Sequence, residues 1–276
     1  AIITKGEMLA SKGNLEEREK AREQAKELLE QAVEVAGDDV RAHINLLIVK
    51  LMLARMSDAA LAKEQIQSLE PEYLSLVEKF DSSAEAHSAL AGFYLQLDLR
   101  NLDKAVEATE KAVELDKENV IYAINSANLC YRKFSIYGKK PELYKAIEVA
   151  KNALTLPDAQ DKPGPRQRAN RMNRVSLYIF LANCYIEQVL EPCEERTESE
   201  SQEWLTKAEV AVHEIEQFFG SGENPRVIKW RGMLELAKFE LAKGDRNIAI
   251  RELCTAYEQL KATSVRREFE RVDSVL

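Results

Sequence analysis

The side chains able to do chemistry are few and far apart. The sequence of 276 residues holds three histidines, His43, His87 and His213. It holds four cysteines, Cys130, Cys184, Cys193 and Cys254. A nucleophile needs a base within hydrogen-bond reach, and a metal needs clustered ligands. No CxxC occurs, and no histidine is spaced to partner a cysteine. No Gly-rich loop offers backbone amides to a phosphate. No enzyme active site, cofactor or metal is therefore expected. The cysteines, most of them inside apolar helical patterns, read as buried free thiols in a reducing, cytoplasmic compartment.

Two charged runs are the other chemical candidates. Lys162, Arg166, Arg168, Arg171 and Arg174 surround Pro163-Gly164-Pro165. They suit an anionic partner, either an acidic protein or RNA phosphates. A solvated loop running into a helix explains them equally well. Glu191, Glu194, Glu195, Glu198, Glu200 and Glu203 form an acidic run, read as an exposed loop. The two runs flank one helical segment, so pairing between them is a further option. With 39 basic and 47 acidic residues the net charge is -8, which argues against a dedicated nucleic-acid binder. No run of 18 apolar residues suggests a membrane span. No leader-like pattern opens the sequence.

Helices must position these groups. Lys, Arg, Glu, Ala and Leu make up about half of the chain, while Gly (10) and Pro (7) are scarce. Good helix formers without turn residues exclude a sandwich or barrel and predict an all-α chain. Hydrophobic periodicity and stop signals place helices over 1–12, 17–36, 40–54, 58–69, 72–80, 83–97, 102–116, 119–134, 141–155, 168–190, 202–219, 225–243, 246–261 and 264–274. Two readings of 56–82 stay open. Either the segment carries an extra helix beginning at Pro71, which is preferred, or Pro71–Phe80 is itself the second helix of a pair.

A repeat underlies the helices. A small residue in one helix is followed by two small residues seven apart in the next. Ala237 precedes Ala249 and Ala256, and Ala91 precedes Ala105 and Ala112. Ala127 precedes Ala146 and Ala153, and Ala182 precedes Ala208 and Ile215. An N-terminal copy runs Gly6, Ala25, Ala32, and another begins at Leu47, with Ala59 and Ile66. Seven residues are two helical turns, so each pair lies on one face. Small side chains there let two antiparallel helices nest.

This pattern resembles the tetratricopeptide (TPR) repeat, with Ala in the usual Gly slot of the first helix. His43 and His87 share the family's Trp position, which makes them packing residues. The resemblance implies an all-α, right-handed superhelical solenoid of about six units. These are roughly 1–37, 40–82, 84–117, 120–157, 168–220 and 225–262, with a cap over 264–276 that points Phe269 inward. It also implies a non-catalytic scaffold binding a protein or peptide in a concave groove lined by the first helix of each unit. Carried over position by position, the groove takes Arg41, Ile44, Ile48 and Leu51. It then takes Glu85, Ser88, Gly92 and Leu95, followed by Ile121, Ile124, Asn128 and Tyr131. Ser176, Ile179, Asn183 and Ile186 follow, and then Arg231, Leu234, Lys238 and Leu241. The polar members Arg41, Asn128, Tyr131, Asn183, Arg231 and Lys238 are the expected partner contacts. The family's clamp for chaperone tails is incomplete, because only Asn128 and Arg231 match it. The aliphatic slots suit a more apolar segment. An RNA-associated repeat protein, or the regulatory domain of a larger enzyme, are the alternatives.

Overall fold

The computed structural model describes residues 15–56, 58–96, 101–161, 163–190, 197–220 and 224–241, with scattered positions between 247 and 258. Among these the chain is helical throughout, with no strand. The expected helix over 1–12, the cap with Phe269, Gly6, Ala249 and Ala256 lie outside the described residues. Contacts divide the chain into two compact units, Ala1–Leu129 and Cys130–Leu276.

The first unit contains α1 (Leu15–Val35), α2 (Val40–Ala54), α3 (Ala59–Ser68), α4 (Glu70–Lys79), α5 (Ala84–Tyr94) and α6 (Leu102–Leu115). The division between units falls inside α7 (Val120–Tyr137). Each start has a sequence cause. Asp39, Asp58, Ser83 and Asn101 each accept a hydrogen bond from a first-turn backbone N–H, at Arg41, Leu61, Ala86 and Lys104. Such caps satisfy donors that a helix cannot satisfy itself. Arg22, early in α1, donates to the carbonyl of Met52, late in α2, so these helices run antiparallel. Lys104 lies over the Tyr94 ring and shares Glu70 with the Tyr94 hydroxyl, joining α4, α5 and α6.

The segment between α2 and α5 holds two helices, as both readings allow, and the second of them, α4, packs against both α2 and α5. The break is one residue wide: Leu69 ends α3 and starts α4. Pro71 sits in the first turn of α4, where its missing N–H costs nothing. The second helix packs Tyr73 and Leu76 into the core with Leu90, Phe93 and Tyr94. Fully burying an aromatic of this size contributes about 1.5–3 kcal/mol.

The second unit contains α8 (Lys140–Ala153), a 3-10 turn (Pro157–Ala159), α9 (Gln167–Leu190), α10 (Glu198–Phe219) and α11 (Pro225–Glu240). Arg174, early in α9, pairs with Glu214, late in α10, and Tyr185, late in α9, meets Trp204, early in α10. The two helices are therefore antiparallel. Helix α10 starts four residues earlier than the periodicity predicts. Thr197 and Glu200 form a reciprocal capping box, so the acidic residues Glu198, Glu200 and Glu203 are helical rather than loop. The signal, Thr-x-x-Glu, is legible in the sequence.

Most of the repeat's small residues are buried: Ala25, Ala91, Ala105, Ala112, Ala127, Ala146, Ala153, Ala182, Ala208 and Ala237, with Leu47, Ile66 and Ile215; Ala32 is only half-buried. Gly232 marks a closer approach still. A Cβ there would stand 2.9 Å from the backbone nitrogen of Leu253. Backbone cannot yield as a side chain can. Gly232→Ala is expected to cost about 1–3 kcal/mol by overpacking. Urea unfolding of the variant checks this; an unchanged midpoint would show that the helices are not held this close.

Candidate functional site

In the first unit, α2 and α5 lie side by side and enclose an open cavity of about 460 Å³. Arg41, Ile44, Asn45, Ile48 and Leu51 come from α2, and Ser88, Ala89, Gly92 and Phe93 from α5. Of the eight groove positions carried over for these two helices, seven line it; Leu95 does not. The sequence reading missed Tyr73 of α4, Gln96 and Tyr122, which also line it. Tyr73 lies on α4, whereas the groove positions were carried over for the first helix of each unit alone.

Arg41 and Glu85 face each other across the N-terminal ends of α2 and α5. Nε and Nη2 of Arg41 both donate to the Glu85 carboxylate, at 2.7–3.2 Å. The hydrogen bond to Glu85 raises the Arg41 pKa further, keeping it charged. This fork fixes the helix register: with an offset of 44, Leu51 and Leu95 share a level at the other end. The groove is thus about 15 Å long, from a rise of 1.5 Å per residue. Asn128 donates to the carbonyl of Ile124 in its own helix at 2.9 Å.

In the second unit the expected contact residues are bound to one another. Asn183 Nδ2 donates to the Tyr131 hydroxyl at 2.7 Å, and that hydroxyl donates to Glu187. Burial pushes the Tyr131 phenol far above its ordinary pKa, with the Glu187 carboxylate adding to the effect. Phe180 meets the Tyr131 ring edge-on at 5.8 Å. Arg231 pairs with Glu216, and Lys238 with both Glu209 and Glu235. These cations brace α10 against α11. Ile186 is not a groove residue but fully buried core, and Leu234 is buried as well.

The basic run is largely answered by carboxylates of its own unit. Arg166 lies 3.8 Å from Asp158 and Arg171 lies 3.7 Å from Asp161. Arg174 lies 3.2 Å from Glu214 and packs its guanidinium over the Tyr178 ring. Arg168 is exposed, and Lys162 lies outside the described residues. The option that the basic and acidic runs pair with each other is corrected on the described residues. Sixteen residues of α9, about 24 Å, separate Arg174 from the helix end at Leu190, and Arg174 reaches α10 near its C-terminus instead.

His43 Nε2 lies 3.0 Å from the carbonyl of Gly37, and His87 Nε2 lies 3.0 Å from that of Asp81. The shared slot thus performs one task twice: the ring ties the incoming turn to the helix six residues on. The buried Cys184 thiol is held protonated, because burial pushes its pKa well up. No group of three His, Cys, Asp or Glu placed to hold a metal occurs among the described residues. No described helix is long and apolar enough to cross a membrane.

Removing the Tyr131 hydroxyl tests the network in the second unit. Tyr131→Phe leaves half-buried Asn183 and Glu187 without their shared partner, at an expected cost of about 1–3 kcal/mol. Tyr137→Phe, at a position 52% exposed, is expected to be neutral. Equal denaturation midpoints for the two variants would show that the network contributes nothing.

No family model matches the sequence, and no curated protein matches it. Solved structures do. The MamA protein is 16% identical, with 81% of this chain and 96% of that chain covered and a TM-score of 0.50. YrrB, described as a TPR protein with an unusual peptide-binding site, is 14% identical, covering 83% and 91% with a TM-score of 0.48. Yeast Tom70 is 15% identical, covering 94% of this chain and 59% of that chain, with a TM-score of 0.34. At these identities the likeness is one of fold: the chain has the all-α, paired-helix fold of the kind seen in MamA.

Proposed function

We propose that this protein is a non-catalytic scaffold, and that the α2–α5 groove of its first unit binds a segment of a protein partner. The cavity between α2 and α5 carries this reading. Its walls are mainly aliphatic and aromatic, and seven of its lining residues hold positions that the repeat resemblance assigns to recognition. Helices hold the walls in place before binding, so little ordering entropy opposes it. Apolar surface covered by a partner contributes about 25 cal/mol per Å².

The residues proposed earlier for the second unit have less support as contacts. Tyr131, Asn183, Arg231 and Lys238 already satisfy one another or neighbouring carboxylates. An anionic partner at Arg166, Arg171 and Arg174 would compete with Asp158, Asp161 and Glu214.

A photo-reactive residue at Ser88, inside the groove, is expected to cross-link a protein partner in native lysate. The same residue at Glu107, exposed on α6, is expected to give no such product. Adding Ile48→Glu, which sets a charge on the apolar wall, is expected to abolish the Ser88 product. Identical products at Ser88 and Glu107, or survival with Ile48→Glu, would sink the groove assignment.

A further inference from the structure

The same groove holds two polar groups without partners, and their chemistry narrows what it takes. Tyr73 is 2% exposed, stacks on Phe93 with ring centroids 4.4 Å apart, and lines the cavity. Its hydroxyl makes no hydrogen bond among the described residues. Burial pushes this phenol up to about 12, so it keeps its proton and stays a donor at neutral pH. Gln96 lines the cavity at the same C-terminal end of α5. Its Nε2 donates to the carbonyl of Gly92 at 2.7 Å, which leaves Oε1 as the free end of the amide. That oxygen is buried and unpartnered.

An unmet buried acceptor costs about 1–3 kcal/mol, so the groove stores a demand for a donor. Tyr73 adds a demand for an acceptor. A peptide group meets both, because its carbonyl accepts and its N–H donates. Charge gives the second constraint. Arg41 and Glu85 are the charged residues of the lining, and they neutralise each other through the fork. A carboxylate or ammonium entering the groove would lose hydration without finding a free counter-charge.

Resting on the scaffold reading above, we propose that Tyr73 and Gln96 capture one backbone peptide group of an uncharged segment whose flanking side chains are apolar. Tyr73 donates to the carbonyl, and Gln96, its amide turned from Gly92 into the groove, accepts the N–H at Oε1. Helix α4 thereby supplies one of the two groups.

The probe is a displayed library of random twelve-residue peptides panned against the full chain, with the strongest binder then synthesised. Tyr73→Phe and Gln96→Leu are each expected to weaken that peptide about fivefold to tenfold, as loss of one net hydrogen bond does. Gln96→Met serves where the leucine variant fails to fold. An ester replacing the captured peptide N–H is expected to weaken wild type equally and to leave the Gln96 variant's affinity unchanged, the coupling of a direct pair. Ile48→Glu separates the two levels. Binding that survives Ile48→Glu, or a library that yields no binder, overturns the groove reading and this inference together. Binding lost with Ile48→Glu but unchanged in the Tyr73 and Gln96 variants overturns this inference alone. An enriched charged consensus, or affinity carried by an Asn or Gln side chain of the peptide, overturns it too.

Discussion

The close approach of paired helices at small side chains is the constraint on which the rest of this molecule depends. Ala105 and Ala112 in α6, Ala146 in α8, Ala182 in α9, Ala208 in α10 and Ala237 in α11 are completely buried. An alanine gains little by its own burial. Its value lies in letting two backbones come within about 8–10 Å, so that larger neighbours interlock around it. Leu90, Phe93, Leu143, Leu177 and Ile215 supply that bulk. At Gly232 the approach is so close that even a methyl has no room.

With the backbones this near, charged residues on the flanking faces come within reach of one another. Arg174 and Glu214 join α9 to α10, while Arg231, Lys238 and their carboxylates join α10 to α11. Partly exposed pairs of this kind contribute little energy each, but they fix register. They also consume the cations that a repeat scaffold could otherwise turn toward a charged ligand. In the first unit the same economy leaves the α2–α5 groove neutral, with its polarity reduced to hydroxyl and amide groups.

Helix α4 changes the character of that groove. A two-helix unit presents only its first helices to a ligand. Here a one-residue break at Leu69 turns the chain so that Tyr73 reaches the cavity from below and stacks on Phe93. The proposed recognition of a peptide group thus depends on α4 as well as on the two helices that wall the groove.

Much was legible in the sequence, for a physical reason. Helix formers, caps and small residues seven apart act within a few turns, so they specify helices and their pairing locally. Seven lining residues of the α2–α5 groove, and the shared slot of His43 and His87, followed from the resemblance of that pattern to a known repeat. The tertiary structure alone decided which polar side chains are free. Asn183 and Tyr131 are 52 residues apart in sequence, yet they meet and are spent on each other. Arg41 and Glu85 are 44 apart and cancel. Tyr73 is on neither of the helices that wall the groove, yet it lines the cavity. Hydrogen bonding and ion pairing depend on distances of about 3 Å between separate helices, and periodicity in one helix carries no information about them.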